Sequence, residues 1–312
     1  MTSPGIDLIE AQLGDVFKSG SLQYDCIKAL SNRFPSDVMV TFMDLSVEAE
    51  AFGCEMAFSD HEIPTVARPV VSSLTEIETL AIPTIGEKRT LQTLTCARRC
   101  AQNIGKPVFG GMIGPYSLAG RLADMTEMML FAASEPETAH QLLAKATGFL
   151  SDYLQALKET GIAGVVIAEP AAGLLSPEMC QEFSADYLKQ LIARVKDDSF
   201  MVVLHNCGRT EKQVEAMLSA APDALHVGNA VDILEIIPQV PSDIPVMGNL
   251  DPVGIFKDAN AATVYATTTS LLARTANFPN FVLSTGCDVP SGVPLENIDA
   301  FFNACTDYNN RF

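Results

Sequence analysis

Basic residues are scarce in this 312-residue chain: 20 Lys and Arg stand against 38 Asp and Glu, a formal net charge of −18. A surface that grips nucleic acid or anionic lipid needs clustered Lys and Arg, so both partner classes are excluded, and polyanionic small substrates are disfavoured. No apolar run reaches membrane-spanning length, so no membrane span is expected. The opening MTSPGIDLIE has neither the basic n-region nor the apolar h-region of a secretory signal, and a cytoplasmic location is the expectation. A Gly-rich phosphate loop is missing as well: Gly110, Gly111 and Gly114 in FGGMIGPYS match neither GxGxxG nor the Walker pattern, which counts against an open nucleotide-binding sheet. Internal repeats, low-complexity tracts and Pro/Gly-rich linkers are also absent. We therefore expect one domain over 1–312, with an irregular N-terminal region at about 1–90.

What is present fits an ordered chain: 48% of residues are hydrophobic and 19% charged, ordinary for a globular protein and wrong for long disorder. Eight cysteines lie far apart in a chain too large to need disulfide staples, so reduced thiols serving mostly as core filler are the expectation. Cys96 and Cys100, at i and i+4 in LQTLTCARRCAQNIG, can share a helix face; with no histidine nearby, buried thiols outweigh a metal role.

Apolar runs of strand length alternate with amphipathic stretches of helical length. The runs are VMVTFM (38–43), KPVFGGMI (106–113), GVVIAE (164–169), FMVVLHN (200–206), ALHV (224–227), IPVMGN (244–249) and FVLSTG (281–286). Between most of them lie helical patterns: SLAGRLADMTEMMLFAAS (117–134), ETAHQLLAKATGFLSDYLQALKETG, SPEMCQEFSADYLKQLIARVK (176–196), EKQVEAMLSAA and AATVYATTTSLLARTAN, and strand followed by helix implies parallel βαβ pairing. Ser176-Pro177-Glu178 reads as a helix start and Gly161 as a helix stop. Seven strands are one short of an α/β (β/α)8 TIM barrel, the expected fold. The eighth could neighbour the first helix or hide within 54–90.

In such a barrel the chemistry sits where strands finish. The strand ends here are polar: Glu169, His205 and Cys207, His226, Asn249 and Asp251, then Cys287 and Asp288. In an extended segment i and i+2 point the same way, so His205 and Cys207 can present a nitrogen and a sulfur to one point. A third ligand from another strand end, for which Cys287 is the natural candidate, would complete an open Zn2+ site with donors at about 2.0 to 2.3 Å. Spacing alone leaves that site and inert packing both open, since buried cysteines and hydrogen-bonded core histidines are common.

Several segments together resemble the uroporphyrinogen decarboxylase superfamily, and within it the zinc-dependent corrinoid methyltransferases: DLSVEAEAFGC (44–54), GGMIGPYSLAGRL (110–122), HNCG (205–208), GNLDP (248–252) and LSTGCDVPSGVPLENIDAF (283–301). The resemblance covers most of the chain in order, and it implies a (β/α)8 barrel. It also implies that His205, Cys207 and Cys287 are the zinc ligands, with Gly286-Cys287-Asp288 standing where decarboxylases carry Gly-His-Gly. The activity implied is transfer of a methyl group from a methyl-corrinoid, carried on a separate small protein, to a thiol such as coenzyme M. A metal-free carbon-carbon lyase acting on a tetrapyrrole and a non-catalytic zinc or corrinoid binder are the alternatives.

Other residues acquire expected roles. Glu169 is the candidate catalytic residue, as a displaceable fourth ligand or thiol-proton acceptor, against a plainer role as a helix-end or loop carboxylate. Tyr116, His226, Asn249 and Asp251 are the candidate cofactor-binding positions. The Tyr116 N–H opens a helix and could hold an anion such as a sulfonate; His226 could meet substrate or be a hydrogen-bonded core histidine; Asn249 and Asp251 fit loop pinning. Asp288 could orient a ligand as a hydrogen-bond acceptor. Asn206, on the opposite face from its neighbours, is expected to bind scaffold rather than metal. The sequence also departs from the resemblance: the Arg-rich N-terminal segment of the decarboxylases is missing and the chain begins later than either branch does. Asn206 replaces a more usual hydrophobic residue, and Gly228 stands where aspartate is common.

Overall fold

A computed structural model of the chain describes residues 1–59 and 62–311. Its strands are β1 (Met39–Val40), β2 (Glu55–Ala57), β3 (Thr65–Arg68), β4 (Val108–Ile113), β5 (Gly164–Ala168), β6 (Met201–Asn206), β7 (Ala224–Val227), β8 (Val246–Leu250) and β9 (Phe281–Thr285). Seven form one all-parallel sheet in the order β1-β4-β5-β6-β7-β8-β9, in register along adjacent strands. Each strand after β1 follows its spatial neighbour in the chain, with helices between, as parallel pairing requires.

The seven apolar runs of the sequence all become strands of this sheet. The first is shorter than its run: the β1–β4 ladder ends where the Thr41 side-chain oxygen, rather than a backbone carbonyl, accepts the Gly111 N–H at 2.9 Å. The stretch 54–90 supplies no eighth strand among the described residues. It holds instead the antiparallel β2–β3 hairpin, outside the main sheet, and its residues 60 and 61 lie outside the described set. The described strands thus form an open curled series rather than eight strands in a closed ring.

Helix ends follow local chemistry. The pattern expected as one helix over 117–134 splits at Asp124, where φ is 76° and the carboxylate caps the Thr126 N–H at 2.8 Å. The pattern over 176–196 begins as read, with the Ser176 hydroxyl accepting from Met179 N at 3.2 Å, but a π-turn at Gln181–Ala185 interrupts it. Among the described residues no helix is long and apolar enough to cross a membrane.

The period of two along each strand divides the core. Phe109, Val203 and Ala224 pack with Val40, Val166 and Met247 inside the curl, whereas Val202, Leu204, Leu225 and Val246 face the helices in the main apolar cluster. Continuing that alternation along β6 puts His205 on the inner face and Asn206 on the outer one.

Beyond β1, the short helix Val47–Ala51 carries Glu48, only 1% exposed. One Glu48 oxygen accepts the Ile113 N–H at 3.0 Å, and the other has no partner. Burial pushes this carboxyl up to about 7, so the folded protein favours its neutral form. A folded pKa above the unfolded one contributes stability that is complete at low pH and lost as pH rises through about 7. Unfolding by urea at about pH 5 and about pH 8 should therefore show Glu48→Gln gaining on the parent at the higher pH, by up to about 3 kcal/mol. A difference between the two proteins that does not change with pH would refute a buried neutral acid.

Candidate metal centre

Two strand ends build the site. His205 is the penultimate residue of β6, and Cys207 follows its last residue. Cys287 lies two residues past the end of β9. Their candidate ligand atoms all fall within 4.8 Å of one another, the one such group of His, Cys, Asp or Glu side chains among the described residues. His205 is buried, and the two cysteines are half-buried at the mouth of the curl. Strands β6 and β9 are separated by two others in the sheet, so it is the curl, not sequence proximity, that joins the thiols.

The thiols are paired. A hydrogen bond from Cys287 draws Cys207 down to about 7 against its burial. The same bond and burial push Cys287 up to about 12, with His205 opposing. Two thiols converging beside an imidazole are a set that yields readily to a soft or borderline cation: two thiolates and a nitrogen leave a tetrahedral ion one open position. The donor set fits zinc.

His226 stands next to His205 across the β6–β7 ladder. Its Nδ1 lies 2.7 Å from the His205 Nδ1, and its Nε2 lies 3.1 Å from Ser284 Oγ on β9. Burial, and then the neighbouring His205, hold the His226 imidazole well below the usual range, so it is neutral.

Glu169 is outside the ligand group. Its carboxylate takes the Tyr116 N–H at 3.0 Å and the Ser117 N–H at 2.6 Å, capping the helix Pro115–Ala123. Its surroundings are Cys180, Ser184, Leu204 and Asn206, on the helix side of the sheet. Burial raises this carboxyl to about 7, opposed by the Ser117 contacts and the Tyr116 N–H. The approach is close: a Cβ on Gly114 would sit 2.5 Å from the carboxylate. Two expectations are corrected together. The Tyr116 N–H is not free for a substrate anion, because the protein's own carboxylate already fills that helix end, and Glu169 has the role of a helix-end carboxylate rather than a place beside the thiols.

The remaining polar strand ends hold loops. Asn249 donates to the carbonyls of Gly228 at 3.0 Å and Val231 at 2.8 Å, fastening the segment after β7. Asp251 accepts from Val253 N at 2.9 Å and Gly254 N at 3.0 Å. Both also line a cavity of about 290 Å³ with Asp232 and Arg274. Asn206 donates to the Glu169 carbonyl at 2.7 Å and accepts from Gly208 N at 2.8 Å, bracing the turn that carries Cys207. Asp288 receives Thr2 N at 2.6 Å, the Thr2 hydroxyl, and Val289 N at 3.0 Å. It ties the first residues of the chain beside Cys287 and makes no hydrogen bond to a thiol.

Gly228 has a steric reason. A Cβ there would lie 2.5 Å from the Cys207 Cα and 2.8 Å from its carbonyl oxygen, both backbone atoms that cannot swing away. Gly228→Ala should therefore push the Cys207 turn outward, costing about 1 to 3 kcal/mol and weakening metal uptake. Thermal denaturation together with zinc titration checks this; unchanged values in both would dismiss the steric account.

Two features escaped the sequence reading. Asp44, Ser46, Glu50 and Arg89 form a buried polar cluster beyond the end of β1: the Arg89 Nε donates to Glu50 at 2.6 Å, its Nη2 to Ser46 Oγ at 2.9 Å, and its Nη1 to Asp44. Arg89 carries no local pattern that points 45 residues upstream. Ser284, the partner of His226, sits in an ordinary apolar run, and only the neighbouring strands give it meaning.

The chain is similar to known proteins along most of its length. A methylcobamide:CoM methyltransferase of Methanosarcina acetivorans is 29% identical over 271 residues, covering 85% of this chain and 78% of the relative. A uroporphyrinogen decarboxylase of Dichelobacter nodosus is 26% identical over 304 residues, covering 96% and 87%. Among solved structures, a methyltransferase from Methanosarcina mazei superposes with a TM-score of 0.89 at 22% identity, over 98% of this chain and 90% of that one. That likeness shows a shared barrel-like α/β fold. The family model described as uroporphyrinogen decarboxylase (URO-D) matches residues 8–308: the chain belongs to the URO-D family.

Proposed function

We propose that this protein is a zinc-dependent methyltransferase, moving a methyl group from a methyl-corrinoid on a small carrier protein to a thiol such as coenzyme M. The observation that carries the reading is the convergence of His205, Cys207 and Cys287 within 4.8 Å at the mouth of the curl. A tetrapyrrole decarboxylase has no use for two paired thiols there, and the surplus of acidic side chains repels the carboxylates of such a substrate.

His205, Cys207 and Cys287 would hold the ion. When bound by two sulfurs and a nitrogen, zinc supplies acidity mild enough to convert a substrate thiol to a thiolate near neutral pH while leaving the sulfur nucleophilic. The protein's own part is positional. Asn206 and Gly228 hold the Cys207 turn against the end of β7, and Asp288 anchors the segment beside Cys287. The half-buried thiols stay accessible from the mouth, where a carrier protein would present its corrinoid. In the overall transfer a sulfur–carbon bond forms, the cobalt–carbon bond breaks with its electron pair left on cobalt, and the thiol proton is released.

The test mixes zinc-loaded protein with methylcobalamin and a panel of thiols, following the cobalt spectrum. Thiol-dependent demethylation that stops on chelation supports the proposal. No demethylation with any thiol would remove it, and decarboxylation of a tetrapyrrole that survives chelation would favour the lyase.

A further inference from the structure

The inner face of the sheet carries a line of three polar side chains from adjacent or near strands: His205 on β6, His226 on β7 and Ser284 on β9. The Nδ1 atoms of the two histidines are 2.7 Å apart, a distance that requires one proton between them. Either ring could supply it, but a further contact decides. The same His205 Nδ1 lies 3.2 Å from the His226 carbonyl oxygen, which can only accept. An unprotonated Nδ1 would set a lone pair against that oxygen; a protonated one satisfies both neighbours. The proton therefore belongs to His205 Nδ1. His226 accepts at Nδ1, carries its own proton on Nε2, and passes it toward Ser284 Oγ at 3.1 Å.

From this geometry we infer that His226 and Ser284 are positioning residues that lock His205 in the Nδ1–H tautomer, leaving the Nε2 lone pair as its only metal-facing donor. A histidine that must ligate through one nitrogen gains when the other is held by a fixed acceptor, because the ring can neither rotate nor tautomerise away. A neutral imidazole in the acceptor's place is unusual chemistry: unlike a carboxylate, it adds no negative charge to the site. It serves as acceptor only while its own proton is engaged elsewhere, which is the part of Ser284. The pair therefore works as a unit, and loss of either end loosens His205.

The consequence for metal affinity rests on the zinc reading above, but the tautomer does not, and the experiment separates them. In zinc-free protein, two-bond nitrogen–proton couplings of the His205 ring should show the proton on Nδ1 in the parent. In His226→Phe, which removes the imidazole acceptor but keeps the carbonyl of residue 226, the Nδ1–H fraction should fall. Ser284→Ala, which removes only a hydroxyl and guards against misfolding of the larger replacement, should shift the populations in the same direction. His226→Gln, whose amide oxygen can accept, should restore part of the preference. Zinc competition against a chelator should then give an affinity about 10- to 100-fold weaker in His226→Phe, with a smaller loss in Ser284→Ala. A parent ring protonated on Nε2, or tautomer populations identical in all variants, would overturn the inference. A parent that holds the Nδ1 proton but binds no zinc would overturn the metal reading and leave the hydrogen-bond relay standing.

Discussion

Cys287→Ala is expected to reduce bound zinc from about one ion per chain to near zero, and Cys207→Ala to do the same. Each removes one of only two sulfurs in the candidate group. The remaining pair of donors, one sulfur and one imidazole nitrogen, leaves a cation two water-filled positions and loses its chelate rigidity. Methyl transfer to a thiol should fall with the metal. The fold should survive, because both cysteines are half-buried at a strand end and neither belongs to the apolar cluster that holds the sheet to its helices. Metal analysis of the purified parent and both variants, beside circular dichroism, is the measurement. Zinc retained at the parent level in both variants would end the assignment of these ligands. Cys180→Ala is a useful control: it is a buried thiol outside the group, and its loss should leave zinc content unchanged.

Arg89→Met should be the most damaging single change to stability away from the metal centre. The Arg89 and Asp44 side chains are 7% and 4% exposed, and the same guanidinium also binds Glu50 and Ser46. Methionine keeps much of the volume but leaves two carboxylates facing each other with no compensating charge. Breaking a buried pair from one side costs about 3 to 5 kcal/mol, a large part of the roughly 5 to 15 kcal/mol by which a typical domain is stable. Urea denaturation should show the midpoint falling sharply. Replacing Asp44 by Asn in the Arg89→Met background should recover part of the loss, since it removes one of the stranded charges. A loss below about 1 kcal/mol, the range of an exposed ion pair, would show that the cluster is open to water.

The sequence carried the fold because the signals involved are local. Strand-length apolar runs and helix-length amphipathic stretches repeat along the chain, and all seven strands of the main sheet fall where such runs stand. What was not legible is the count: within 54–90, β2 and β3 pair with each other in antiparallel fashion instead of joining the main sheet, and nothing in their composition announces that choice. The helix break at Asp124 was equally hidden, since Asp within a helical pattern reads the same whether it faces solvent or caps a new start.

For the site, His205 and Cys207 were legible as a pair because a strand's period of two aligns them, and Cys287 was legible because a polar residue at a strand end stands out against the run before it. Their meeting was not, since it depends on the curl that carries β9 round toward β6. Glu169 shows the converse. It has the same strand-end signature as His205, yet it lies one position further along its own strand and so faces the helices, where the first N–H groups of Pro115–Ala123 claim it. The sequence by itself determined the residue types and their spacing along each strand, which is covalent information. Which side of the sheet a strand-end side chain takes, and which distant atoms share its hydrogen bonds, was decided only by the tertiary structure, because register, curl and the close approach of loops such as that at Gly228 are set by the packing of the whole chain.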